Sequence, residues 1–401
     1  MAKWANTGEE GTGSRRRVAS CKNAHMDYAI TDEQRMLRDS VRSFLEARVP
    51  LPRVRELMET EDGFDREVWA EMAAMGWQAM AIPEEYGGAG FTFRELGILM
   101  EEMGRALTPG PFLSSVVLGA GALLIAGTPE QKATYLPGIA SGERIAALAA
   151  VEPSGDWDPD AIAAAAIPGD AGFTISGEKS FVVDGHVADT LLVSARDSAG
   201  GVGIYVVDAG ASGLETSPLE TLDMTRKQAT VRLDGVVVDT AARLTGDGAA
   251  TIESVYEMAV VALAYEQVGG AQRCLEMSVD YAKERHQFGR PIGSFQAVKH
   301  MCADMLVAVE AAKSVAYYAG WAVTDDPAEA AIAAPLAKSS CSDAYFEIAG
   351  DTIQVHGGIG FTWEHDAHLF FKRAKSDELL FGDPTRWRAR LADRLDLSPA
   401  R

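Results

Sequence analysis

The sequence predicts a multidomain α+β protein: an N-terminal α-helical domain, a β-barrel-like middle domain and a C-terminal four-helix bundle. Three observations support this fold class. Residues 26–142 repeat apolar side chains at helical spacing, residues 143–248 break into short β-branched runs between turns, and residues 249–401 return to long amphipathic segments. At 401 residues the chain exceeds one ordinary domain, so two or three packed units are expected.

The helical pattern of the first domain begins with a start signal at Thr31. The segment Thr31-Asp-Glu-Gln34 has the form of a capping box, in which Thr31 caps the helix and Gln34 reaches back. Further helices are predicted near residues 65–75, over about 92–104 and over about 129–138.

Residues 1–25 stand apart from this pattern. They are rich in Gly, Ser and Arg, and they lack the apolar core of a secretory signal. We interpret them as a disordered extension or a misassigned start before Met26. A targeting role is the alternative, which the acidic pair Glu9 and Glu10 disfavours.

Changes in the spacing of apolar residues along the sequence predict the middle domain and the bundle. Short runs rich in β-branched residues predict strands, and they are Phe173–Ser176, Ser180–Val183, Thr190–Val193, Gly203–Val207 and Ala229–Leu233. Long amphipathic segments then predict four helices, over about 250–284, 294–323, 327–357 and 364–381.

Charge and cysteine usage exclude several function classes. The formal net charge of −21 argues against a nucleic-acid partner, which requires a basic surface. No apolar run is long enough to predict a membrane span. The cysteines lack CxxC spacing, which favours reduced thiols in a cytoplasmic protein; they are Cys21, Cys274, Cys302 and Cys341.

Two glycine-bearing patches in the last third are the most informative local features. One runs from Arg285 through Phe288 to Gln296, and the other runs from Gln354 through the glycine pair to Phe361. In each patch the glycines stand where a helical pattern stops, and glycine allows a turn or a close approach to a ligand there. An arginine, an aromatic ring and a glutamine around such a break could hold a planar, phosphorylated cofactor.

The pair of patches, in this order and at this separation, resembles the acyl-CoA dehydrogenase family of flavoproteins, including actinobacterial members that act on acyl-CoA or sterol side-chain thioesters. The resemblance covers nearly the whole chain from Met26. It implies FAD as the cofactor, bound across a subunit interface, and hence a tetramer. The family's FAD-binding positions fall on Arg285, Phe288, Gln296, Gln354, Gly357 and Gly358.

The resemblance also implies that the β domain holds the flavin ring. The segment Gly177-Glu-Lys-Ser-Phe181-Val-Val183 is similar to a family segment whose aromatic residue packs on the flavin, which here is Phe181. Val183 stands where relatives often have a threonine that bonds the flavin, and valine has no such donor. Glu152 and Pro153 match a degenerate copy of the family loop that contacts the flavin and the thioester arm.

The general base is not at either position that the family uses. Desaturation of an acyl-CoA needs a carboxylate of raised pKa to take the α-proton. By alignment, Gly382 and Ala259 occupy the two family positions. Glu266 lies among apolar helical neighbours, so burial is expected to raise its pKa, which makes it the first candidate. Asp383 is the second candidate, and the remaining alternative is that neither residue is the base.

Histidines near the second patch raise the question of a metal. His356 precedes the glycine pair, and the run Trp363-Glu-His365-Asp-Ala-His368 follows it. We interpret this run as a polar helix start beside the flavin patch, and no metal site is expected.

The resemblance therefore implies FAD-dependent α,β-dehydrogenation of an acyl-CoA, with an electron-transfer flavoprotein as the acceptor. The missing base positions leave two alternatives open. One is a non-catalytic partner subunit of a heteromeric acyl-CoA dehydrogenase, so that the tetramer is a homotetramer or a heterotetramer. The other is a flavin oxidase of related fold, similar to a nitroalkane oxidase.

Overall fold

The computed structural model describes residues 30–170 and 172–397. The extension predicted over residues 1–25 lies outside the described residues. The described chain forms helices, then a sheet, then helices again, and this order confirms the predicted fold class.

The N-terminal part is helical, and its first helix starts as predicted. Thr31 Oγ1 accepts from Gln34 N at 3.2 Å, and Gln34 Oε1 accepts from Thr31 N at 3.2 Å, which completes the capping box. A π-helical segment, Leu113–Gly119, leads into the fifth helix and was not foreseen. The helices are α1 Asp32–Arg48, α2 Leu51–Met58, α3 Arg66–Ala74, α4 Phe93–Ala106, α5 Ala120–Ala126 and α6 Pro129–Ala140.

The middle part is a seven-stranded sheet that curls beside the bundle. Two of the predicted runs merge into one long strand, β3, with a register shift between Lys179 and Val182. Strands β1, β2 and β6 were missed, because alanine, glycine and proline give them little β-branched signal. The strands are β1 Ala146–Ala149, β2 Ala165–Gly169, β3 Gly172–Val183, β4 Thr190–Asp197, β5 Val202–Asp208, β6 Leu214–Pro218 and β7 Gln228–Val238. Strand β4 pairs with β5 on one side and with β1 and β2 on the other, and β3, β7 and β6 complete the order.

The C-terminal part contains the predicted bundle and one further short helix. Its helices are α7 Gly248–Glu284, α8 Gln296–Asp325, α9 Pro327–His356, α10 Ala367–Leu379 and α11 Pro384–Arg394, with a small hairpin of β8 His286–Gln287 and β9 Arg290–Pro291 after α7. Two hydrogen bonds show that helices α7 and α9 run parallel. Gln267 bonds Ser342 at 3.0 Å, and Ser278, further along α7, bonds Thr352, further along α9, at 3.1 Å. Their C-terminal ends therefore lie at the same end of the bundle.

Helix α4 packs closely on α7 and joins the first domain to the bundle. A Cβ on Gly104 would lie 2.0 Å from Glu266 O, and one on Gly269 would lie 1.8 Å from Glu101 O. Only glycine permits this approach of the two backbones, so these positions fix how the helical domain sits on the bundle.

Candidate functional site

A cavity of about 390 Å³ opens between the sheet and the bundle. The β domain and its loops supply one wall and helix α10 supplies the other. The lining residues are Gly155, Trp157, Phe181, Thr221, Leu222, Asp223, Gln228, Lys372, Lys375, Ser376, Leu379 and Leu380. Most of the lining surface is apolar, which suits a planar ring with a few polar groups at its edge.

Phe181 reaches this cavity because β3 is irregular at that point. It lies within the register shift and has a φ of 56°, an uncommon conformation for a residue with a side chain. The ring is 37% exposed and lines the cavity. A Cβ on Gly155 would lie 3.7 Å from the Phe181 ring, so the loop and the ring form one wall. Val183, by contrast, is 3% exposed and does not line the cavity.

Glu152 fastens the loop to the sheet. Its Oε1 accepts from Ala163 N at 2.9 Å, Ala164 N at 2.7 Å and Lys179 Nζ at 2.9 Å. Burial alone would raise the pKa of Glu152, but these hydrogen bonds and the Lys179 charge lower it. Burial lowers the pKa of Lys179 to about 8. Glu152 thus holds the loop in place through these hydrogen bonds, while the neighbouring Pro153 is exposed.

Glu266 lies at the centre of a buried cluster of charges. Arg226 Nη2 donates to both carboxylate oxygens at 2.5 Å, and Arg373 Nη1 donates to Oε1 at 2.6 Å. Burial acts to raise the pKa of Glu266, but the two guanidinium groups hold it below its usual range. The expected rise in this pKa is therefore wrong. A carboxylate held by two arginines is a weak proton acceptor, and this environment suits a structural role.

Three further side chains complete this cluster, those of Asp223, Asp377 and Lys338, and sequence reasoning missed them. Asp223 accepts from Arg373 Nε at 2.7 Å, and Asp377 accepts from Arg226 Nη1 at 2.8 Å. Burial raises the pKa of Asp377 to about 8. Lys338 donates to the backbone oxygens of Asp377 and Glu378, and burial lowers its pKa to about 7. Arg373 and Asp377 lie four residues apart on one helix and therefore on the same face. This spacing of opposite charges was the sequence signal that could have predicted the cluster.

The turn after α10 presents no carboxylate to the cavity. Phe381 has a φ of 63° and is buried, with its ring 5.4 Å from that of Trp157 and 5.3 Å from that of Tyr256. Asp383 caps α11, because its Oδ1 accepts from Arg386 N at 2.8 Å. Ala259 is fully buried. The structure thus gives Asp383 a capping role, and its catalytic role stays a prediction.

The two glycine-bearing patches meet at one end of the bundle. The rings of Tyr281 on α7 and His356 on α9 are 4.4 Å apart. Within residues 30–170 and 172–397, the Arg285 side chain has no hydrogen bond or ion pair. The other predicted cofactor contacts are also exposed there, namely Phe288 with 90% exposure, Gln296, Gln354, Gly357 and Gly358.

This end of the bundle fits a dinucleotide. Gly357 has a φ of 63°, and a Cβ on Gly357 or Gly358 would meet nothing within 4 Å, so the backbone is open to a ligand. A free guanidinium on Arg285 suits a pyrophosphate, since its planar fork donates paired hydrogen bonds. Beside the patch, His365 Nδ1 accepts from Ala367 N at 3.1 Å, as expected for a polar helix start.

Comparison with known proteins agrees with this geometry. Models of the acyl-CoA dehydrogenase N-terminal, middle and C-terminal domains match residues 31–143, 147–236 and 246–395. The acyl-CoA dehydrogenase IpdE2 of Mycobacterium tuberculosis is 35% identical over 369 residues, which cover 92% of this chain and 99% of that protein.

Solved structures show the same fold. A chain of the ChsE4–ChsE5 complex from Mycobacterium tuberculosis is 32% identical with a TM-score of 0.85, covering 94% of this chain and 100% of that one. A chain in a structure described as the electron transferring flavoprotein of Acidaminococcus fermentans is 28% identical with a TM-score of 0.87, covering 92% and 99%.

The chain belongs to the acyl-CoA dehydrogenase family. Its members are oxidoreductases that dehydrogenate acyl-CoA thioesters with FAD, and FAD is the cofactor of this chain. No helix within the described residues is long and apolar enough to cross a membrane.

Proposed function

We propose that this chain takes part in the α,β-dehydrogenation of an acyl-CoA as the base-lacking subunit of a heteromeric acyl-CoA dehydrogenase. The chain contributes FAD contacts and cavity walls, and a second, different chain contributes the carboxylate that takes the α-proton. Among the alternatives that the sequence leaves open, this is the one the geometry supports best.

The state of the carboxylates is the observation that supports this proposal. Asp223 lines the cavity, but its oxygens accept from Arg373 Nε at 2.7 Å and from Thr225 Oγ1 at 2.5 Å. Glu266 is held by two guanidinium groups, and Asp383 caps a helix. A general base must be free to accept a proton within reach of the substrate, and none of these three carboxylates is free.

The exposed patches at the end of the bundle support a partner subunit. Arg285, Phe288 and Gln354 are exposed, as residues would be that hold a cofactor shared with a neighbour. The 32% identical relative was solved as a complex of two different chains, ChsE4 and ChsE5. A heterotetramer in which each kind of chain supplies part of the site agrees with both observations.

Bound FAD would supply the acceptor for the hydride that leaves the β-carbon. The walls around Phe181 would hold the ring and exclude water, while the bundle end of one chain would hold the dinucleotide. We further propose an electron-transfer flavoprotein as the next electron acceptor, and the cytoplasm as the compartment remains a prediction.

Anaerobic titration with acyl-CoA thioesters tests the proposal. The protein is purified alone, loaded with FAD and mixed with straight, branched and ring-bearing acyl-CoA thioesters, while the flavin absorbance is followed. We expect no bleaching by any thioester, and full bleaching by dithionite as the positive control. Bleaching by a thioester in the purified chain alone would contradict the proposal. In that case the panel would also identify the acyl group.

A gain-of-function variant sharpens the test. Ala259 occupies one family base position on α7, where the variant Ala259→Glu restores a carboxylate. We expect this variant to gain slow bleaching with at least one thioester, whereas Ala259→Gln, of matched size, stays inactive.

A further inference from the structure

Lys372 brings an unpaired positive charge to the cavity. It lies on α10 and lines the cavity, and its Nζ lies 4.3 Å from the centre of the Trp363 ring. A cation over an aromatic face is attracted to the ring without being neutralised by it. Within the described part of the chain, no carboxylate lies within ion-pair distance of this ammonium group.

The other charged groups of the cavity wall are paired. Lys375 Nζ contacts Glu378 Oε2 at 2.9 Å, and Asp223 Oδ2 contacts Arg373 Nε at 2.7 Å. Each pair has no net charge, so the net charge of the wall comes from Lys372. The mainly apolar lining weakens the screening of this charge by water.

We propose that Lys372 stabilises the reduced, negatively charged form of the flavin ring in this cavity and thereby raises its reduction potential. The proposal rests on the proposed function only in placing the ring in this cavity. A hydride brings two electrons and one proton, so its acceptor gains one negative charge, and the α-proton leaves separately to the base of the partner chain. A fixed positive charge in the same cavity favours that product over the oxidised, neutral ring.

The surroundings of Lys372 suit this role. Burial lowers the pKa of Lys372, with the nearby Asp223 acting to raise it and Arg55 to lower it. A partly desolvated ammonium group interacts more strongly with a neighbouring anion than a fully hydrated one does. Lys372 also joins the cavity to the second cofactor patch, because Trp363 follows that patch directly in the chain.

The reduction potential of the bound flavin tests the proposal without any acyl-CoA. The FAD-loaded assembly is reduced slowly beside a reference dye, and Lys372→Gln is compared with wild type, Lys372→Arg and the double variant Lys375→Gln/Glu378→Gln. We expect Lys372→Gln to lower the ratio of reduced to oxidised flavin at a given potential by at least about tenfold, which is about 30 mV for a two-electron couple. Lys372→Arg retains the charge, and Lys375→Gln/Glu378→Gln removes a pair that has no net charge, so both should stay within about twofold of wild type.

An unchanged potential in Lys372→Gln would overturn the proposal, as would an equal fall in Lys375→Gln/Glu378→Gln. If Lys372 only supported the fold through Trp363, its variants would lose FAD or melt earlier, and the potential of the flavin that remains bound would not move. Because the potential is measured without substrate, its outcome is independent of which chain holds the base.

Discussion

At the scale of single residues, Glu266 and Asp377 are two buried carboxylates in one cluster that the structure holds in opposite protonation states. Two guanidinium groups bond Glu266 directly, which keeps it ionised. Asp377 has one contact to Arg226, and its Oδ2 has no hydrogen-bond partner, so burial dominates and raises its pKa to about 8.

The first prediction concerns Glu266→Gln. This change leaves Arg226 and Arg373 buried without their shared counter-charge, and breaking such a buried pair costs about 3–5 kcal/mol. We expect a fall of that size in the free energy of unfolding, measured by urea denaturation. Asp383→Asn is the matched control, because asparagine caps a helix about as well as aspartate does. Equal stability of Glu266→Gln and wild type would show that the cluster is not structural.

The second prediction concerns pH and Asp377→Asn. A folded-state pKa raised from 3.8 to about 8 gives stability that is present at low pH and is lost as pH rises through this interval. Relative to Asp377→Asn, wild type should lose up to about 1.4 kcal/mol per pH unit between about pH 5 and 8, and then level off. Urea denaturation at several pH values measures the difference. A gap between the two proteins that does not change with pH would contradict the assignment of a protonated Asp377.

The same residues show what a sequence can and cannot predict about the site. The apolar helical neighbours of Glu266 are visible in the sequence, and its burial was expected from them. Its partners are not visible, because Arg226 lies 40 residues away and Arg373 lies 107 residues away. The direction of the pKa shift depends on these distant groups, so local pattern predicted the burial of Glu266 and missed the sign of the shift.

At the scale of elements, the end of α7 and the hairpin that follows it form an exposed patch that we predict to bind the cofactor. We predict that Arg285→Ala loses most of the bound FAD and loosens the oligomer together, because a ligand stabilises the state that binds it. Arg285→Lys should be partly tolerated, since a point charge cannot replace the planar fork. Flavin absorbance after gel filtration measures both effects.

A matched variant is available two residues earlier. Lys283 is exposed on the same helix end and contacts Asp280 at 3.8 Å, so Lys283→Ala removes one charge of the same sign outside the patch. Full flavin occupancy in Arg285→Ala, or an equal loss in Lys283→Ala, would refute the role of Arg285.

Helices and strands whose apolar residues repeat at a regular spacing were predicted well, and those without such a repeat were missed. The four long bundle helices and the capped start at Thr31 follow directly from apolar spacing and cap chemistry. Strand β1 is the run Ala146–Ala149, whose alanines favour no sheet, and it forms through parallel pairing with β4. All residues of the π-helical segment before α5 are buried. It therefore has no exposed polar face, and the spacing of apolar residues could not predict it.

At the scale of the whole molecule, the chain joins an exposed patch, which we predict to bind the cofactor, to a cavity with no free carboxylate among the described residues that line it. Glycines at the α4–α7 crossing fix the helical domain on the bundle, and the sheet closes the cavity against α10. The patch on the outside carries the predicted dinucleotide contacts, whereas Asp223, the carboxylate among the described lining residues of the cavity, is bound by Arg373 and Thr225. Cofactor contacts without a free base are what we expect of a subunit whose base is supplied by a different chain.

Exchange of the α-hydrogen of an acyl-CoA with solvent deuterium reports directly on whether this chain holds a base. The purified, FAD-loaded chain is incubated with a saturated acyl-CoA in heavy water, and the deuterium content of the recovered thioester is measured by mass spectrometry. We expect no incorporation above that in buffer alone. Incorporation that Glu266→Gln or Asp383→Asn abolishes would show that this chain provides its own base and would contradict its role as the base-lacking subunit.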